Sequence, residues 1–249
     1  MATHVVPTLE TEIALASQEY DVIIGLDEVG RGALAGPVMV GAVALRSIRL
    51  AHLDVTPGVA DSKLLTAHKR ESMINALESW SDSWAVGESS NTEIDEFGIM
   101  HALGMASLRA IADLESVLFA RGEQSQKVAI CAILDGSYDY ISAVVDSFDA
   151  PDLRYPLDVV TKVKADQQCA SVASASVIAK VTRDRVMVSL AKQAAYAPYG
   201  WDHNKGYGSL SHREAISRLG PQSTPSCELA LMLNMRLISD LGHHRGARS

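Results

Sequence analysis

From residue 21 onward, short apolar runs rich in β-branched residues alternate with longer segments of helical spacing. "DVIIGLDE" (21–28) suits a buried strand, and "PVMVGAVAL" (37–45) reads as a second one reached through a glycine-rich turn. In "LTAHKRESMINALESW" (65–80), Leu65, Met73, Leu77 and Trp80 fall near helical spacing, with Thr66 placed as the N-cap. "SWAVGESS" (83–90) is a third strand. Ile94, Phe97, Met100, Leu103, Leu108, Ile111, Leu114 and Leu118 predict helices over 91–120 with a break near Gly98. "KVAICAILDG" (127–136) has the make-up of a central buried strand, and "LDVVTKV" (157–163) of another, with a polar, Pro-punctuated stretch between them. A long Ala- and Ser-rich helix is expected over 167–196, then a glycine-aromatic loop (196–209), a short helix near 210–219 and a last helix at 227–239.

Three early strands followed by strands alternating with helices predict an α/β fold: a mixed five-stranded sheet flanked by helices, with a helical C-terminal extension. Residues 1–20 lack sustained periodicity and read as a loose lead-in with at most a short helix. Residues 21–220 are expected to form the main domain, and 221–249 a final helix and a disordered tail. Trp80, Trp84, Met100, Met105, Met187, Met232 and Met235 are expected core residues.

The chain's 249 residues, 47% of them hydrophobic, support a sizeable core. An uncharged apolar stretch of 18 residues is absent, as is a basic leader with an apolar core, so neither membrane insertion nor secretion is expected. The expected setting is the cytoplasm, and the expected state a monomer. Cys131, Cys169 and Cys227 are isolated and read as reduced thiols. A net charge of −8 argues against a polyanion ligand until its distribution is considered. Residues 81–158 carry fourteen acids and four bases, whereas 160–218 carry nine bases and four acids. A basic face on an acidic body is one reading, and ordinary solvated helix charge is the other.

Candidate chemistry appears where strands end. Asp27 with Glu28, Asp135, and Asp166 each lie at or just past the C-terminal end of a predicted strand, and in an open sheet such ends converge on one crevice. Gathered there, four carboxylates repel one another unless a cation neutralises them. Oxygen-only ligands suit Mg²⁺ or Mn²⁺ rather than zinc. Each acid also has a plainer use, Asp135 as a turn former in "LDGS" and Asp166 as a helix N-cap, so only the recurrence points to metal. The turn Gly30–Gly36 loosely resembles a dinucleotide cradle, but its spacing is off by one residue and two acids precede it.

"GLDEVGRGALAGPV" (25–38), "ADSKLLTAHKRE" (60–71), "IDEFGIMHALGMA" (94–106), "ILDGS" (133–137), "KADQQCASVASASVIAKVTRDRVM" (164–187) and "HNKGYGSLSH" (203–212) resemble, in order, the motifs of type 2 ribonuclease H (RNase HII). The resemblance spans roughly residues 21–220 and implies an RNase H-like fold. It implies metal-binding catalytic carboxylates at Asp27, Glu28, Asp135 and Asp166. It also implies a turn at Gly30, Arg31 and Gly32 that reads a ribose 2′-hydroxyl and its phosphate, and a Tyr207 that packs on the following sugar. Lys63, Lys180 and Arg183 are candidate phosphate contacts. The long interval between Asp135 and Asp166 leaves Asp158 as a competing fourth ligand. The implied reaction is two-metal hydrolysis 5′ to a ribonucleotide in RNA/DNA hybrids, at junctions and at single ribonucleotides in duplex DNA. Type 3 ribonuclease H and a non-catalytic hybrid-binding protein are the alternatives.

Overall fold

The computed structural model describes residues 6–119 and 127–221. The elements run α1 (Glu10–Ala16), β1 (Val22–Val29), β2 (Val38–Arg46), α2 (Ser47–Leu50), α3 (Ala67–Trp80), β3 (Ser83–Ser89), α4 (Asn91–Phe97) and α5 (Ile99–Leu118). β4 (Ile130–Asp135), β5 (Leu157–Lys162), α6 (Ala165–Gln168), α7 (Ala170–Leu190), α8 (Trp201–Asn204) and α9 (Leu210–Leu219) follow. The strands make one mixed sheet in the order β3-β2-β1-β4-β5, with β1–β2–β3 antiparallel and β1–β4–β5 parallel. The chain has the expected α/β architecture. The helix expected at 227–239, with Met232 and Met235, lies outside the described residues.

Strand alternation divides the core. Val22, Ile24 and Leu26 face α5 and meet Leu103, Leu108 and Ile111, while Ile23 and Val29 face the α7 side. Each such aliphatic side chain contributes about 1.5–3 kcal/mol on burial. α7 lies unusually close to the sheet, because a Cβ on Gly25 or Gly41 would collide with the α7 backbone at Ser171–Val172 and Ala175. The Ala/Ser composition of α7 is the other half of that contact. Thr66 caps α3 by accepting from Lys69 N, and Gly98 (φ 84°) separates α4 from α5, both as predicted.

Three expectations are corrected. The lead-in is docked rather than loose: Thr8 pairs with Cys169, its N–H donating to Gln168 O (2.9 Å) and its carbonyl accepting from Ala170 N (2.9 Å). Glu12 is fully buried and caps α7 from outside, accepting from Ser171 N (2.9 Å) and Ser171 Oγ (2.7 Å). Burial raises its carboxyl pKa above the ordinary value. The same pairing interrupts the long helix, because Cys169 takes an extended conformation (φ −107°, ψ 124°) between α6 and α7. Beyond Leu190 the chain turns, and Tyr196 stacks on Trp201 (4.9 Å between centroids) instead of continuing the helix. Trp80 and Trp84 are half-buried flank residues; Trp80 Nε1 donates to Asp54 O (2.7 Å).

Candidate active site

Strand register brings the predicted acids together. Leu26 pairs with Leu134, so the next residues, Asp27 and Asp135, stand side by side at the C-terminal ends of β1 and β4. Asp135 pairs with Lys162, after which the chain turns through Lys164 (φ 58°) into α6, which carries Asp166. Ala165 N donates to Asp135 Oδ1 (2.6 Å), tying the two strand ends. Alternation puts Asp27 on the α7 side, near Ser176 and with its Oδ1 accepting from Glu28 N (2.9 Å), and Glu28 on the α5 side beside Arg31 and Tyr140. Adjacent in sequence, the two acids approach the crevice from opposite faces of the sheet.

The electrostatics are those of a site short of positive charge. Asp27 is 4% exposed; burial, and then the carboxylates of Glu28, Asp135 and Asp166, push its pKa well above the ordinary range, with Ser176 opposing. Burial, then Asp135 and Asp61, push Asp166 up to about 6, and Lys63 opposes. Asp61 was not among the sequence candidates. It is buried, accepts from Lys63 N (2.9 Å) at the start of a short 3-10 turn, and stands close enough to Asp166 to raise its pKa. Its signal was its place two residues before Lys63 in "ADSK". For Lys63, burial favours the neutral amine, but Asp27, Asp61, Asp166 and Asp135 outweigh it and hold the ammonium above its usual value. Lys63 is thus an exposed cation that feels the charge of the acid cluster.

Among the described residues, no three His, Cys, Asp or Glu side chains already form a grouping that holds an ion. The donor chemistry nevertheless fits a hard divalent cation, since the donors are oxygens and burial and mutual repulsion penalise their charge. Asp158 takes no part; it lies near the N-terminal end of β5 and accepts from Tyr20 Oη (2.9 Å). The groove of about 470 Å³ between α3 and α7 is lined by none of these acids.

The second half of the site is a pair of interlocked loops. Gly30 (φ 95°) opens the turn, Ala33 N closes it on Gly30 O (3.0 Å), and Leu34 N donates to Gly206 O (2.8 Å), next to Tyr207. Arg183 is not an exposed phosphate contact. Its guanidinium is fully buried, donating from Nε to Pro37 O (2.9 Å), from Nη2 to Ala35 O (3.1 Å) and from Nη1 to Lys205 O (2.9 Å). A Cβ on Gly30 would collide with it. Its Cζ lies 5.3 Å from the Tyr207 ring centroid. Lys180 is held by Asp184 (2.7 Å) with its Nζ 5.2 Å from the same ring. His212 is structural: Trp201 Nε1 donates to its Nε2 (3.0 Å), which leaves Nδ1 to donate to Tyr207 O (2.9 Å). Arg31 is exposed, 3.4 Å from Glu28, and Gly32 is open on the surface. Part of the expected basic face is thus consumed internally, since Arg183 is buried, Lys180 pairs with Asp184 and Arg185 pairs with Glu71.

A family model described as Ribonuclease HII matches residues 24–232. The chain is 36% identical over 231 residues to a ribonuclease HII of Roseiflexus castenholzii, covering 90% of this chain and 91% of the relative. It is 39% identical over 216 residues to one of Streptomyces avermitilis, covering 86% and 80%. The crystal structure of the ribonuclease H2 from Pyrococcus horikoshii superposes with a TM-score of 0.54 at 27% identity, over 86% of this chain and 98% of that one.

Proposed function

Since the chain belongs to the ribonuclease HII family, and so is a metal-dependent ribonuclease H that acts on RNA/DNA substrates, we propose that it hydrolyses the phosphodiester 5′ to a ribonucleotide. The substrates are RNA/DNA hybrids, RNA–DNA junctions and single ribonucleotides in duplex DNA, and the products carry 3′-hydroxyl and 5′-phosphate ends. The observation that carries this reading is the arrangement of buried Asp27 and Asp166 with half-buried Asp135, mutually repelling, and Glu28, directly beside a glycine turn whose Leu34 N–H is bonded to Gly206, next to Tyr207.

In this reading Asp27, Glu28, Asp135 and Asp166 hold two Mg²⁺ or Mn²⁺ ions. When bound, such ions supply Lewis-acid stabilisation of the phosphodiester and a more acidic water. The chain's own residues choose the bond. Backbone groups of Gly30–Gly32 approach the ribose and bond its 2′-hydroxyl, a contact deoxyribose cannot make; sites built on such a bond reject the analogue strongly. Arg31, exposed beside Glu28, takes the adjacent phosphate. Tyr207 packs on the following sugar, where an added hydroxyl clashes, which favours deoxyribose there. Lys63 restrains the acid cluster between substrates. No helix among the described residues is long and apolar enough to cross a membrane, and we place the enzyme in the cytoplasm as a monomer, with residues 21–220 as its catalytic domain.

A labelled duplex containing one ribonucleotide, incubated with Mg²⁺ or Mn²⁺ beside an all-DNA duplex, tests the reading. One cut on the 5′ side of the ribonucleotide is expected. Absence of that cut, or equal cutting of the all-DNA duplex, overturns it.

A further inference from the structure

The segment joining β4 to β5 is polar in sequence, yet it reaches the acid cluster from the face that α7 does not cover. Tyr140 is 2% exposed, and its hydroxyl stands 3.4 Å from Glu28 Oε2. Arg31 Nη1 stands 3.4 Å from the other oxygen, Oε1. Glu28 is therefore bracketed by two donors, one exposed cation and one buried neutral phenol.

Several features hold the phenol there. Asp139 Oδ1 accepts from Ile141 N (2.9 Å) and Ser142 N (3.0 Å), which fixes the turn that carries Tyr140. Tyr140, Ile141 and Val144 are buried in the core on the α5 side. Gly104, in the middle of α5, is where the segment comes closest: a Cβ there would collide with the Tyr140 carbonyl oxygen and with Val144. Glycine weakens a helix interior, so α5 carries a weak point at the place where this segment must seat. A tyrosine phenol carries its proton throughout the neutral range, so at Glu28 it can only donate.

We propose that Tyr140 is a positioning residue for the hydrolysis, its hydroxyl donating to Glu28 Oε2 and fixing how that carboxylate is presented at the end of β1. The inference rests on the reading of Glu28 as a metal ligand. A carboxylate one methylene longer than aspartate has an extra torsion to fix, and Arg31, exposed and facing the phosphate, is free to leave it when substrate arrives. The buried phenol stays. Donors behind a metal ligand that orient it in this way typically change metal affinity by tenfold or more when removed.

The test is Mn²⁺ binding to the full chain without nucleic acid, followed by the electron paramagnetic resonance of free Mn²⁺, for the wild type, Tyr140→Phe and Glu28→Gln, with melting temperatures alongside. Tyr140→Phe keeps the ring and removes only the hydroxyl. It is expected to weaken Mn²⁺ binding about tenfold, raise the Mn²⁺ concentration for half-maximal cleavage to match, and leave both the KM for hybrid and the melting temperature unchanged. Wild-type Mn²⁺ affinity in Tyr140→Phe, with weakened binding in Glu28→Gln, overturns the inference alone. A loss that tracks a fall in melting temperature also overturns it, since packing then accounts for the effect. Wild-type affinity in Glu28→Gln overturns the metal-ligand reading of Glu28, and the inference with it.

Discussion

Asp27 and Arg183 are both buried ionisable residues, one on β1 and one on α7, and their surroundings are opposite. Arg183 meets three backbone carbonyls from two loops and the face of Tyr207, so its burial is compensated within the chain. Asp27 accepts one backbone N–H, from Glu28 (2.9 Å), and otherwise faces the like charges of Glu28, Asp135 and Asp166, so its burial is penalised. A buried charge whose partners are all supplied is a joint, because it fixes the parts that supply them. Left among like charges, a buried charge favours a ligand that brings the missing sign. The contrast makes Arg183 a joint of the architecture and leaves the acids in want of a cation, although the sequence motifs presented both as site residues.

Neutralisation breaks the contrast most sharply at the acids. Asp27→Asn or Asp135→Asn is expected to lower turnover by about a hundred- to a thousandfold, the scale of removing one electrostatic stabiliser. Asp27→Asn should at the same time raise the melting temperature of the metal-free protein, by about 2–4 °C for each kcal/mol of repulsion relieved. Lower turnover together with a lower metal-free melting temperature would mean that Asp27 is structural after all. Arg183→Met should behave in the opposite sense, costing on the order of 3 kcal/mol in urea unfolding because buried carbonyls lose their donors. Unchanged stability would remove Arg183 from its role as a joint.

Smaller effects refine the picture. Tyr207→Ala should reduce cleavage at a junction about tenfold more than cleavage of a uniform hybrid, the scale of one lost packing contact; an equal loss on both substrates would assign Tyr207 to general binding. The smallest effect is on pH dependence. Asp166 is raised in the fold from 3.8 to about 6, so between those values the folded, metal-free chain holds more proton than the unfolded one. Its contribution to stability is full below about pH 3.8 and is lost as pH rises through 6. Melting followed from pH 4 to 6.5 without metal should show a smaller decline with pH in Asp166→Asn than in the wild type, and equal slopes would contradict the coupling.

Legibility differed residue by residue. Asp27, Asp135 and Asp166 were readable because each ends or follows an apolar run, and parallel pairing of β1, β4 and β5 puts such ends side by side. Asp61 was passed over, since it follows no strand and reaches the cluster through the packing of its 3-10 turn on α7, where Ser176 Oγ donates to Ser62 Oγ (2.8 Å). Arg183 was misread because helical spacing shows that a cation recurs and leaves open whether its end meets water or three carbonyls. The lead-in looked loose because a seven-residue helix has little periodicity, and its anchor, Glu12 on Ser171, lies 159 positions away.

By itself the sequence determined the local elements, the five-stranded α/β plan and the strand-end positions of Asp27, Glu28, Asp135 and Asp166, because hydrophobic period and turn chemistry act between neighbours in the chain. Only the tertiary structure decided that Asp27 and Glu28 enter the crevice from opposite faces, that Arg183 is sealed inside while Lys63 faces the acids, and that Tyr140 backs Glu28. Those outcomes depend on burial and on the sign of nearby charge, and both are set by residues far apart in sequence that the fold brings within a few ångströms.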